Sequence, residues 1–274
     1  MMAGTRKKWA MRTVFAAAVL ACAPPLAAQQ SAEEWLERCR NRNNAGSRAT
    51  HCEVRESTVA ATGTFRADAA PNGGVSVQSW DRNEVLVRAK IQTHARSDSE
   101  ARALAQEIAV SVRPGIAEVS GPRTENREGW SVSFEIWVPR QTNLDLHSTN
   151  GGLSVRGVSG RHDVRTTNGG ISMSEVAGEI RGVTTNGGIV VRLTGASFSG
   201  AGLDLRTTNG AISLTVPQNF SAQLEASTVN GGLNIDFPVT VQGRIGRQVS
   251  AQIGSGGPSI RLRTTNGPIQ IRRS

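Results

Sequence analysis

The sequence predicts an all-β solenoid, a chain wound into stacked coils of short strands, and three observations carry that prediction. Asn-Gly recurs six times after residue 140. An apolar–polar–apolar triplet follows each recurrence in the same phase. The chain is also rich in Gly (30 of 274 residues) and poor in aromatics, with no Tyr, six Phe and five Trp. Such a core must be filled by Val, Ile, Leu and Ala, which suits narrow stacked strands better than a globular enzyme core.

The first 28 residues read as a secretory signal peptide. Arg6-Lys7-Lys8 and Arg12 precede an apolar run from Val14 to Ala21, Pro24-Pro25 breaks it, and the small pair Ala27-Ala28 precedes Gln29. The run is too short to span a membrane, and nothing later is apolar enough to do so. An exported protein of the periplasm or the cell surface is therefore expected. Val19-Leu20-Ala21-Cys22 loosely approaches a lipobox, so a lipoprotein anchored through Cys22 is the alternative to cleavage after Ala28.

Residues 29–65 form an N-terminal extension. Ser31 with Glu33 and Glu34 signals a short helix over 31–40. Cys39 and Cys52 are an even pair in an oxidising compartment and read as a disulfide, contributing roughly 2–3 kcal/mol by restricting the unfolded chain. His51 beside Cys52 raises zinc as an alternative, but a second spaced ligand pair is missing and no metal is expected.

An adhesin-like domain is expected over 66–274, with regular coils from about residue 144. It opens with a small strand and helix region. Val75 to Val77 and Val85 to Ile91 read as strands. Ser97-x-x-Glu100 is a capping box for a helix whose Ala101, Leu104, Ala105 and Ile108 form one apolar stripe. Trp130, Val132, Phe134, Ile136 and Val138 alternate with Ser131, Ser133, Glu135 and Trp137, a half-buried strand ended by Pro139.

The coils follow. The turns fall at Asn150-Gly151, Asn168-Gly169, Asn186-Gly187, Asn209-Gly210, Asn230-Gly231 and Asn266-Gly267, spaced 18, 18, 23, 21 and 36 residues apart. The last gap is twice 18, and Gly254-Ser255-Gly256-Gly257-Pro258 inside it reads as a degenerate copy. Each turn precedes an inward pair such as Leu153/Val155 or Ile171/Met173, and Thr-Thr usually precedes the turn. Asn and Gly tolerate positive φ, which is the expected reason for their use. Asn-Gly also marks two-residue hairpins, and Val158-Ser159-Gly160 and Val176-Ala177-Gly178 supply weaker second turns, so a meander is the rival architecture. The constant phase of the triplet favours stacked coils, with equivalent Asn and Thr side chains in ladders.

At Thr-Asn-Gly-Gly-Ile/Leu, repeated at 149–153, 167–171 and 185–189, the chain resembles the bacterial putative-adhesin family of the DUF4097 type. The resemblance covers roughly residues 66–274. It implies a single-stranded, right-handed β-helix-like solenoid in a secreted or envelope protein, and it brings no catalytic residues with it.

The formal net charge is +9. Four of the basic residues lie in the leader, and beyond it the only Lys is Lys90, so the positive charge is nearly all Arg. Arg suits bidentate capture of carboxylate or phosphate. No basic run interleaves with stacking aromatics, which argues against nucleic acid. No HExxH, nucleophile elbow or dinucleotide glycine pattern is present, so neither a cofactor nor a catalytic site is expected.

The sharpest enzymatic idea is Asp145 and Asp163, 18 residues apart and so stackable on neighbouring coils, with His147 and His162 nearby. The acid column would break at Arg181 and the basic column at Val183. The expected function is a non-catalytic structural or adhesive module of the cell envelope. Arg165, Arg206 and Arg263, each before a Thr-Thr, are the candidate binding column for an anionic glycan or protein partner. A polysaccharide-active lyase or hydrolase is the alternative, and an accessory protein that binds a membrane partner is a third class. Self-association through the solenoid ends is also expected, with the helix over 31–40 capping one end and Arg272-Arg273 guarding the strand at the other.

Overall fold

The computed structural model describes residues 26–43, 48–124, 128–195, 200–241 and 246–274. The leader falls outside these apart from its last three residues, and Cys22 falls outside them too. Helix α1 runs over Leu26–Asn43, longer at both ends than the expected 31–40. Strong helix formers precede Ser31, so nothing in the sequence stops the helix there. The Cys39–Cys52 disulfide ties α1 to strand β1 (Ala49–Ala60). His51 lies 3.3 Å from Glu53.

Strands β2 (Thr64–Asp68) and β3 (Val75–Trp80) form the first coil around Asn72-Gly73. The chain then leaves the coil path. It makes β4 (Glu84–Ala95), helix α2 (Asp98–Gln106), β5 (Ala109–Arg113), β6 (Ile116–Ser120) and β7 (Gly129–Pro139). Ser97 caps α2 by accepting from the Glu100 amide, and Ala101, Leu104 and Ala105 are its buried face, as the sequence predicts. Regular coils follow: β8 (Asn143–Asn150) with β9 (Leu153–Arg156), β10 (His162–Asn168) with β11 (Ile171–Val176), and β12 (Ile180–Asn186) with β13 (Ile189–Leu193). Next come β14 (Gly202–Asn209) with β15 (Ile212–Val216), and β16 (Ala222–Asn230) with β17 (Leu233–Ile235). The chain ends with β18 (Thr240–Val241), β19 (Gln248–Ile253), β20 (Ser259–Asn266) and β21 (Ile269–Arg273).

These strands build two long sheets. The first has the order β1-β4-β7-β3-β9-β11-β13-β15-β21-β17, and the second β18-β19-β16-β20-β14-β12-β10-β8-β2-β6-β5. The two strands that flank an Asn-Gly go to different sheets: β10 pairs with β8 and β12, β11 with β9 and β13, all parallel. That pairing excludes the meander and establishes the solenoid. One apolar core runs between the sheets, from Phe65 and Val132 through Val164, Met173, Leu205 and Leu214 to Ile253. Burying each such side chain contributes about 1.5–3 kcal/mol, so every added coil extends a continuous dry column.

The coils do not stack in chain order. Strand β20 lies between β14 and β16, and β21 lies between β15 and β17. The last coil to be made is thus inserted between the two before it. The 36-residue gap is an excursion through β18 and β19 along the sheet edge, and Gly254 to Pro258 is the turn back into β20, not a degenerate coil. The expected charged guard is also displaced. Ile269 and Ile271 are fully buried inside the stack, and the end strands are β17 and β18, whose shortness blunts the edge instead.

The Asn-Gly corners work by a mechanism other than the expected positive φ. Of the six glycines, only Gly267 has φ in that region, at +152°, and none of the Asn does. The requirement is close approach. A Cβ on Gly169 would lie 2.1 Å from the Gly151 carbonyl oxygen, and one on Gly187 2.1 Å from that of Gly169. Around that contact the polar groups interlock. The Gly169 N–H donates to the Asn186 carbonyl (3.0 Å), the Thr184 hydroxyl donates to the Gly169 carbonyl (2.8 Å), and the Asn186 amide donates to the Asn168 side chain (2.8 Å). The same three bonds recur up the stack. At the opposite corner Gly160 and Gly178 do take positive φ, at +143° and +103°, where the sequence shows its weaker turns.

Candidate functional site

Parallel pairing in register turns each outward position of a coil into a row along the rod. On the outer face of the second sheet, one row reads Arg66, Asp145, Asp163, Arg181, Asp204, Arg261, Glu225. The next reads Asp68, His147, Arg165, Val183, Arg206, Arg263, Ser227. Beyond them, Thr167, Thr185, Thr208 and Thr265 stand exposed in line with Val229.

The first row partly neutralises itself. Arg66 lies 3.9 Å from Asp145, and Arg261 pairs with Glu225 at 3.3 Å. It also floors a trough. A depression of about 350 Å³ is lined by Asn143, Asp145, Arg161, Asp163, Glu179 and Arg181, and a second of about 200 Å³ continues past Arg181 to Asp204 and Arg261. Asp163 gives one carboxylate oxygen to Arg165, and its other oxygen is buried with no hydrogen-bond partner.

The second row divides the predicted arginine column. Arg165 is held by Asp163 and separated from Arg206 by Val183. Arg206 and Arg263 face each other directly across adjacent strands. Both are exposed, and among the described residues neither makes an ion pair. Like charges directly opposite in a sheet cost stability, so this pair is an anion-ready feature that folding alone does not explain.

The histidines separate. His147 is on the surface, 3.1 Å from Asp68. His162 points inward and is fully buried, its Nε2–H donating to the Val158 carbonyl at 3.1 Å while Nδ1 has no partner. Burial holds its pKa below the ordinary value. Asp145 and Asp163 are neighbours as expected, but the row continues into Arg181, His147 in the next row is turned to Asp68, and His162, although it borders the depression, is a core residue.

Sequence reasoning missed one cluster. On the face of the first sheet away from the core, fully buried Arg88 bridges Glu56 (2.6 Å) and Glu135 (2.9 Å) and stacks 5.0 Å from the Trp137 ring. Lys90 also pairs with Glu135 and lies 5.7 Å from the Trp35 ring. The signal was present in Arg88-Ala89-Lys90, two cations inside an otherwise apolar strand. This network ties β1, β4 and β7 together and touches α1 through Lys90 and Trp35, and its charges are matched from within.

The family model described as Toastrack DUF4097 matches residues 72–272, close to the span over which the repeat motif carries the resemblance. Among solved structures, a putative cell adhesion protein from Clostridium sporogenes is 13% identical, with 82% of this chain and 100% of that chain covered at a TM-score of 0.44. A putative adhesin from Bacteroides fragilis is 11% identical, with 82% and 97% covered at 0.42. A putative lipid binding protein from Parabacteroides distasonis is 10% identical, with 82% and 97% covered at 0.31. No curated protein matches the chain.

Proposed function

For a chain that belongs to the Toastrack DUF4097 family, we propose a non-catalytic adhesive role in the cell envelope, with the outer face of the second sheet as the binding surface. The carrying observation is the exposed, unpaired Arg206–Arg263 couple, flanked by the threonine row on one side and the charged trough on the other. Two guanidiniums on adjacent strands suit a ligand bearing regularly spaced carboxylates or phosphates, which is the chemistry of an anionic envelope glycan. The secretory features of residues 1–28 and the Cys39–Cys52 disulfide support an exported protein in an oxidising compartment. No helix among the described residues is long and apolar enough to cross a membrane.

The test is retention of residues 29–274 on isolated sacculi, envelope fractions and an anionic-glycan panel. Salt-sensitive, saturable retention that falls at least tenfold in the double variant Arg206→Ala/Arg263→Ala supports the reading. Retention indifferent to that variant overturns it.

One observation favours a second reading. Asp145 and Asp163 share the larger depression, and one Asp163 oxygen is buried and unpartnered there. Release of unsaturated or reducing sugar that is lost in Asp163→Asn would make the rod a polysaccharide-active enzyme.

A further inference from the structure

Asn-Gly is a chemically reactive sequence as well as a turn. The Gly backbone nitrogen attacks the Asn side-chain carbonyl carbon, ammonia leaves, and a succinimide forms. Water then opens the ring to aspartate or isoaspartate. The reaction needs a Gly nitrogen that is free to lose its proton and approach, and an Asn amide that is free to turn toward it. The chain carries seven such pairs in its coils, counting Asn72-Gly73, so their relative reactivity is set by structure.

In spatial order the corners run Asn72, Asn150, Asn168, Asn186, Asn209, Asn266, Asn230. The Gly N–H of each corner donates to the Asn carbonyl of the next one along. These bonds are Gly73 to Asn150, Gly151 to Asn168, Gly169 to Asn186, Gly187 to Asn209, Gly210 to Asn266 and Gly267 to Asn230, all at 2.9–3.0 Å. Six of the nucleophilic nitrogens are thereby occupied. The seventh has no coil beyond it, and among the described residues the Gly231 N–H has no hydrogen-bond partner. Asn230 itself donates to the Asn266 side chain at 2.8 Å, but its own side-chain oxygen receives no amide from a further rung. It is exposed, and the following Gly232 has open space around it.

We propose that Asn230 is a spontaneous modification site, the single Asn-Gly pair of the folded rod that converts through a succinimide to aspartate and isoaspartate. The inserted position of the last coil selects it. Asn266-Gly267, last in the chain, is protected as an internal rung, and Asn230-Gly231 is left at the end. Conversion removes the amide that bonds Asn266 and sets a carboxylate against the Asn266 oxygen, so the outermost rung of the ladder loses its bond.

The experiment incubates the full folded chain at mildly alkaline pH and maps it with trypsin together with a protease that cleaves after Glu, so that Glu225 separates Asn209 from Asn230 and Arg247, Arg261 and Arg263 separate Asn230 from Asn266. Isoaspartate is labelled enzymatically, and the same chain is treated in denaturant. In denaturant all seven pairs should convert at rates within a few-fold of one another. In the folded chain the Asn230 peptide should convert at least tenfold faster than any other, and Asn230→Ser should abolish the labelling without altering the circular dichroism. Conversion spread evenly over the folded corners, or an Asn230 peptide as slow as the internal ones, overturns the proposal.

Discussion

Gly187→Ala is the most direct probe of what holds neighbouring coils together. The new Cβ would lie 2.1 Å from the Gly169 oxygen, 2.5 Å from its carbonyl carbon and 2.9 Å from the Gly170 nitrogen. All three are backbone atoms, so no side-chain rotation relieves the contact and the two coils must part. Three hydrogen bonds cross that junction: Gly169 N–H to Asn186, Thr184 to Gly169, and the Asn186 side chain to Asn168. Weakening them at about 1 kcal/mol each, with about 1–3 kcal/mol for the overpacked contact, gives a loss of roughly 4–6 kcal/mol. The control is one residue away. A Cβ on Gly188 would meet only the Ala211 oxygen, at 3.4 Å, and the equivalent position already carries Ala211 and Pro268 in other coils. Gly188→Ala should therefore change stability by less than about 1 kcal/mol. Urea denaturation followed by far-ultraviolet circular dichroism measures both. Equal midpoints for the two variants would refute the close-approach argument.

Four further outcomes follow from particular residues. His162 is neutral because burial depresses its pKa below 6.5, so the unfolded chain takes up the proton first as pH falls. Its share of stability is therefore present above pH 6.5 and lost below it. His162→Leu, matching Leu144 and Ile180 in the same inward row, should flatten the loss of stability between about pH 7 and about pH 5, and an unchanged slope contradicts this. Arg88→Ala leaves Glu56 without its cation, and Glu135 with Lys90 alone, and should cost about 3–5 kcal/mol in thermal or urea unfolding. Replacing Cys39 and Cys52 together by Ser should cost about 2–3 kcal/mol and speed proteolysis within α1, whereas an unchanged cleavage rate would show that packing alone holds the helix. Deleting residues 259–274 should remove hydrogen-exchange protection from 233–235 as well, because that strand pairs with the deleted β21 and no other, and retained protection there would contradict the inserted order.

The solenoid was legible because its cause is local and repeated. The triplets Ile171/Met173 and Ile189/Val191 declare an inward face, the Thr-Thr-Asn-Gly run declares a corner, and constant phase between them leaves stacking as the way to bury both. The Asn and Thr ladders follow from equal rungs. The reason for glycine at the corner was not legible. It lies between coils, at the Gly151 oxygen facing Gly169, and residue preference within one turn carries no trace of it. Asn72-Gly73 belonged to the same ladder but stood 78 residues from its neighbour Asn150, too far for a period near 20 to reveal it. The ion network around Arg88 was hidden for a different reason. Charge alternation within one strand looks the same whether the charges meet water or a helix, and only the placement of α1 decides it.

The coil order matters most for the candidate site. Had the coils stacked in chain order, Arg206 would face Val183 and Ser227, and Arg263 would sit at the end of the rod. Insertion of β20 between β14 and β16 brings Arg263 directly against Arg206, while Val183 keeps Arg165 apart. The unpaired couple that carries the proposed binding is therefore a product of topology. No spacing rule predicts it, because every rung offers the same corner chemistry and any two rungs fit each other. What distinguishes the last coil is the path that precedes it. Strand β19 pairs antiparallel with β16, turns at Gly254 to Pro258, and delivers β20 to the opposite edge of β16. The excursion that looks like a lapse in the repeat is the part of the sequence that assembles both the arginine pair and the unprotected rung at Asn230.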